Sequence, residues 1–150
     1  MFKANGMEYD KGIIKNVDFW PDILIGDFQK RRTIPADITA SMLSDALIGA
    51  LAEINDDLSG FVVRQVAKGY LTSLDVPGVS IDGENQLTVQ YKKAVFARAK
   101  ADLMPEYASM SRTEAHIGQD APETKSSLLA ESCFVLRNIK GLRRVGVSVI

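Results

Sequence analysis

The sequence predicts a mainly α fold: a small bundle of three to four helices with an extended N-terminal arm and a β-like C-terminal tail. Three observations predict it. Apolar residues recur at spacings of three and four through separate stretches between residues 39 and 140. Residues 1–35 show no such period and carry Gly6, Gly12, Gly26, Pro21 and Pro35, which punctuate regular structure. The closing segment, GLRRVGVSVI, alternates apolar and small residues to its last position, the period-two pattern of a strand. The implied organisation is an arm over 1–35, a helical domain over 36–141 and an extended tail over 142–150.

In the arm, a short strand is expected near Gly12–Val17. Phe19 and Trp20 stand just ahead of Pro21 in DFWPDI. They are either a plug that pins the arm to its own core or an anchor for another subunit, since aromatic residues are enriched at interface hot spots. The first helix is well signalled. Thr39 is a good N-cap, and Ile38 and Leu43 occupy the two ends of a hydrophobic staple. Leu43, Leu47, Leu51, Ile54, Leu58, Phe61, Val62 and Val66 then form one apolar face for about seven turns. Gly49 and Gly60 weaken that helix, so a bend or break is expected near Asn55–Gly60, and Gly69 is a natural stop.

Residues 71–86 read as a loop. Pro77-Gly78 and Asp82-Gly83 are turn dipeptides, and Val76 before Pro77 favours extended backbone. Asp82 is expected to cap the next helix, with Glu84 near its positive end. That helix runs over about 84–109, with Leu87, Tyr91, Val95, Ala99, Leu103 and Tyr107 stacked at i+4. Pro105 is expected to kink or end it. Residues 109–125 form an exposed connection. A final helix over about 123–140 lines up Leu128, Ser132, Val135 and Ile139, with Leu129, Cys133 and Leu136 beside them, before Gly141 at its end.

Composition fits one globular domain: 150 residues, 46% hydrophobic, 25% charged, formal net charge −1. That balance argues against a general nucleic-acid binder and offers no attraction to an anionic membrane. No apolar run approaches the ~20 residues of a membrane span, and MFKANGMEYDKG lacks the apolar stretch of a signal peptide, so no membrane partner is expected. Cys133 is the single cysteine, which excludes an internal disulfide and suits synthesis in a reducing cytoplasm.

A search for chemistry finds little. His116 is the one histidine and sits in a polar connection. Cys133 reads as a small buried hydrophobe. One histidine and one cysteine cannot build a triad, a thiol–imidazole pair or a Cys/His zinc site. Asp75, Asp82 and Glu84 share a loop without EF-hand spacing, and turn or cap duty explains them. No glycine pattern matches a nucleotide loop. No catalytic residue, metal or cofactor is assigned. Lys30-Arg31-Arg32 and Arg143-Arg144 are short basic clusters, either solvated edges or phosphate contacts. The tail pairs either with the protein's own arm or with another chain by β-augmentation.

DFWPDI, ALIGALAEINDDL (46–58), GYLTSLDVPGVSIDGENQL (69–87), YKKAVFARAKADLMPEY (91–107) and the closing helix with its tail occur in an order that resembles the phage head completion family, the protein L family of contractile-tailed temperate phages. The likeness covers roughly residues 17–150. It departs at Asn85, where the family often has serine after Asp-Gly-Glu, and in a final helix poorer in charge and tryptophan. The resemblance implies a fold like that of head–tail connectors and adaptors, and a role as a structural virion protein of the neck, not an enzyme. Such a protein binds below the portal after DNA packaging and offers the tail its attachment surface. The implied partners are the portal protein, a tail-side neck or tail terminator protein, copies of itself in a ring, commonly a dodecamer, and genomic DNA passing through the lumen without sequence-specific binding. The candidate portal- or partner-binding residues are Arg143, Arg144, Val145, Val147, Val149 and Ile150. Phe19, Trp20 and Pro21 are the inter-subunit candidates. Two other classes compete: a small helical DNA-binding regulator, resting on the basic clusters, and a hydrolase using His116, Asp82 and Glu84.

Overall fold

The computed structural model describes residues 8–111 and 123–142, with side chains as far as Glu106 in the first stretch. Its packing starts from the arm. Ile13–Ile14 (β1) pairs antiparallel with Ile23–Leu24 (β2), Ile13 opposite Leu24 and Ile14 opposite Ile23. The intervening residues 15–22 form a turn that carries Phe19 and Trp20 inward, with the Trp20 N–H donating to the Val17 carbonyl at 3.1 Å. Phe19 and Trp20 end 5% and 3% exposed. Trp20 lies flat on Tyr91, centroids 4.1 Å apart and planes 3° from parallel, and meets Phe19 edge-on at 4.8 Å. Phe61 stacks at 6.3 Å from Trp20.

A closed ring of hydrogen bonds borders this stack. The Tyr91 hydroxyl donates to Asn55 Oδ1 (2.6 Å), Asn55 Nδ2 donates to Asn16 Oδ1 (2.9 Å), and Asn16 Nδ2 donates to Tyr91 Oη (2.8 Å). Each group is both donor and acceptor, so the buried hydroxyl is satisfied without water. The ring joins the arm to two of the helices below.

The arm ends in a helix that the apolar pattern does not predict, α1 (Ile25–Arg32). Its signals are electrostatic: Asp27 lies in the first turn and Lys30, Arg31 and Arg32 in the last, matching the helix dipole. Ile25, Phe28 and Gln29 face inward, and Phe28 meets Phe96 at 5.3 Å. Gly26 is required here, because a Cβ would sit 2.7 Å from the Asp10 carbonyl oxygen.

Next come α2 (Ala40–Asp57) and α3 (Ser59–Ala67), separated at buried Leu58 within the expected break. The Thr39 side chain accepts from the Met42 N–H, as an N-cap should. The break re-aims the inward face of α3. Gln65 is buried there, while Val66, expected on the apolar stripe, is 42% exposed.

The 71–86 segment holds a single 3₁₀ turn, Ser73–Asp75, and a hairpin of Ser80–Ile81 (β3) and Glu84–Asn85 (β4). Asp82 (φ 48°) and Gly83 (φ 80°) both take positive φ, as a type I′ hairpin turn demands. Asp82 is therefore a turn residue and not the expected helix cap. Asn85 caps instead: its Oδ1 accepts from the Thr88 N–H (3.1 Å), and its Nδ2 donates to the Ser73 and Val76 carbonyls (2.7 and 2.8 Å).

The central helix, α4 (Gln86–Ser111), packs along α2 on one side and α5 (Lys125–Ile139) on the other. It continues through Pro105, which does not end it. Pro105 is exposed and removes one donor beyond a segment already held by buried Ala99, Ala101 and Leu103. Small residues set the α4–α5 contact: Ala97 and Ala101 meet Leu128, and Ser132 Oγ donates to the Ala94 carbonyl at 2.9 Å. The described residues thus contain five helices, where the sequence predicts three to four. The additions are α1 and the division of the long first helix.

Replacing Trp20 with alanine is expected to cost about 3–5 kcal/mol, the range for deleting a buried large aromatic, measurable by denaturant unfolding. Burial raises the Tyr91 pKa, against the smaller lowering effect of its bonds to Asn16 and Asn55. The neutral phenol is thus favoured in the folded state. Its contribution is fully present below the unfolded value of about 10 and falls as pH rises above it. Tyr91→Phe is expected to lower stability at pH 7 by about 1–3 kcal/mol, since Asn55 Oδ1 loses its donor. It is also expected to shallow the decline of stability above pH 10; an unaltered alkaline slope would refute the assignment.

Candidate assembly surface

The structure describes only some of the residues singled out by sequence. Phe19 and Trp20 are buried in the chain's own core, and Pro21 is half-buried, its carbonyl accepting from Asn16 Nδ2 at 2.9 Å. Arg143, Arg144, Val145, Val147, Val149 and Ile150 lie outside the described residues, as does His116. Cys133 is exposed, contrary to its expected burial. The inward line of α5 runs through Leu128, Ser132, Leu136 and Ile139, and Cys133 falls one step past it.

Two of the three cations in the described basic cluster, Arg31 and Arg32, are committed to internal pairing. Arg31 contacts Asp27 (2.6 Å) and Glu84 (2.5 Å), while Lys92 contacts the same two carboxylates at 3.3 and 3.1 Å. Two cations and two anions therefore close a four-membered ring joining α1, β4 and α4. Burial alone would lower the Arg31 pKa; hydrogen bonds and charge from Glu84 and Asp27 outweigh it, and the net shift is upward. Arg32 contacts Glu131 at 2.7 Å, its carbonyl accepts from Lys100 Nζ at 2.9 Å, and Lys100 contacts Glu123 at 2.6 Å. This second network ties α1 and α4 to α5.

The loop acids are likewise accounted for. Asp75 closes a capping box with Thr72, Asp82 forms the hairpin turn, and Glu84 belongs to the ion ring. Among the described residues no group of three or more His, Cys, Asp or Glu is placed to hold a metal. No helix among them is long and apolar enough to cross a membrane.

An apolar surface remains. Val79 and Ile81 stand 75% and 68% exposed on the hairpin, above a groove completed by Val89 and Gln90 on α4. A second groove of about 450 Å³ lies between α4 and α5, lined by Gln90, Lys93, Phe134 and Leu142. Gln90 lines both. Sequence reading missed this surface because Val79 and Ile81 fall within an apparent loop, although valine and isoleucine flanking serine before Asp-Gly is a hairpin signature.

Fold and surface together describe a small, mainly helical domain with exposed apolar side chains on its hairpin. Comparison with known proteins then makes the assignment specific: the chain belongs to the phage head completion protein (GPL) family, whose model matches residues 14–150. It is 39% identical over 149 residues to a probable head completion/stabilization protein of Haemophilus phage HP1 (strain HP1c1), with 98% of each chain covered. It is 33% identical over 98 residues to the head completion/stabilization protein of Escherichia phage P2, covering 65% of this chain and 58% of that one. No solved structure matches the chain.

Glu84→Gln is expected to reduce stability by about 1 kcal/mol at low salt, with the deficit shrinking as salt is raised past roughly 0.1 M. A deficit independent of salt would assign the effect to packing instead.

Proposed function

We propose that this protein is a structural component that completes the phage head. It acts in the virion neck, made in the host cytoplasm and added below the portal after DNA has been packaged. There it forms a ring, commonly dodecameric in connectors of this kind, through which genomic DNA passes. The ring receives a tail-side neck or tail terminator protein. The observation that carries this reading is the family match over residues 14–150.

Physical features agree with it. The role requires no reaction, and the net charge of −1 suits a channel that must not hold phosphates tightly. The regulator reading loses support because Arg31 and Arg32 are held in ion pairs. In this proposal the tail is the attachment device. Arg143 and Arg144 steer it, and Val145, Val147, Val149 and Ile150 add to a sheet edge on another chain. Within the arm, β1 already pairs with β2.

Deleting residues 143–150 is expected to leave helical content and the unfolding midpoint unchanged while abolishing incorporation, scored by immunoblot of purified particles. Infectious particles containing the truncated chain would overturn the tail's role.

A further inference from the structure

We propose that the amide-lined cleft between α3, α4 and α5 binds the uncharged main chain of an extended peptide segment from another protein. The inference is independent of the tail's role.

The cleft measures about 200 Å³. Gln65 comes from α3, Gln86 and Gln90 from successive turns of α4, and Asn138 from the last turn of α5. Half-buried Phe61 and exposed Pro77 supply an apolar wall. A Cβ at Gly78 would come within 3.3 Å of Gln86 Oε1, so the loop ahead of the hairpin lies against the Gln86 amide.

Gln65 is the telling residue. It is only 8% exposed, and its main-chain carbonyl is occupied, accepting from the Lys68 and Tyr70 N–H groups at 3.0 and 3.1 Å. Its side-chain amide lines the cleft and forms no hydrogen bond with any described residue. A carboxamide buried to that degree costs free energy until something pairs with it. The side chains of Gln86, Gln90 and Asn138 likewise have no hydrogen-bond partner among the described residues.

The lining selects the ligand class. None of the described residues that line the cleft carries a charge, so nothing there offsets a phosphate, a carboxylate, an ammonium group or a metal ion. A carboxamide presents a donor and an acceptor in one plane. A peptide unit does the same, and the two pair side by side. Water meets the amides but leaves Phe61 and Pro77 uncovered. An extended segment meets the amides through its N–H and C=O groups and lays its side chains on the apolar wall.

The test uses the full-length, 15N-labelled chain and N-acetyl-alanyl-alanine methylamide, a dipeptide with blocked, uncharged ends. Titration is expected to give saturable shifts of the side-chain NH2 signals of Gln65, Gln86, Gln90 and Asn138. Acetate and methylammonium, charged probes, are expected to leave them in place, and acetamide, a mimic of a side-chain carboxamide, is expected to bind more weakly. Gln65→Leu is expected to lower affinity for the dipeptide by roughly tenfold. Its unfolding midpoint is expected to hold or rise, because an apolar group replaces an unpaired amide. Should Gln65→Leu fold poorly, Gln86→Leu at the exposed rim decides, with weaker binding expected at an unchanged midpoint. Three results would overturn the proposal: no saturable shift, which would leave the cleft hydrated only; acetamide or a charged probe binding as tightly as the dipeptide; or undiminished binding in both variants.

Discussion

The Trp20–Tyr91 stack, with the Asn16–Asn55–Tyr91 ring beside it, is the constraint from which the rest of the architecture follows. Tyr91 lies on the central helix, Asn55 near the end of α2, and Asn16 and Trp20 on the arm. A single cluster thus fixes three parts of the chain that are far apart in sequence. It also sets the direction in which the arm re-emerges, so that β2 runs directly into α1 and carries Asp27 and Arg31 to the ion ring. Directional hydrogen bonds fix register where apolar contact alone tolerates sliding. The stack supplies burial and the ring supplies geometry.

The helices were legible in sequence where burial is one-sided. The stripes from Leu43 to Leu58 and from Leu87 to Leu103 face the core as their spacing predicts, as do Leu128, Ser132, Leu136 and Ile139, while Val135 is partly buried and Cys133 exposed. Thr39 could be read as a cap because capping is local. What the sequence concealed depends on partners distant in the chain. α1 has only two turns, so its apolar period is too short to register, and its cations acquire meaning only when Glu84 and Glu131 arrive. Asp82 and Asn85 are both acceptable caps in a linear reading. The turn's demand for positive φ takes the first, and the carbonyls of Ser73 and Val76 select the second. The arm's aromatic residues were assigned two roles, and burial in the chain's own core accounts for Phe19 and Trp20. Family membership was legible in the order of motifs; the apolar hairpin surface was not, since Val79 and Ile81 belong to no long periodic segment.

The charge pattern bears on function in the same way. A chain with almost no net charge could still present a basic face, yet the described cations of α1 are largely turned onto carboxylates of α1, β4 and α5. The ion pairs clamp elements that the small hydrophobic core leaves at the periphery. The exposed hairpin apolar groups, in contrast, have no internal counterpart among the described residues. A protein with this profile gains little from long-range electrostatic attraction.

Glu84 belongs to β4, the strand that pairs with β3, and it is also a member of the ion ring. Any load applied to β3 would therefore meet a hairpin whose far side is bolted by carboxylate contacts to α1 and α4. Mechanical load entering at the edge is passed into two helices instead of peeling the hairpin away like a loose flap. A protein that completes a filled container has use for a hairpin held down in that way.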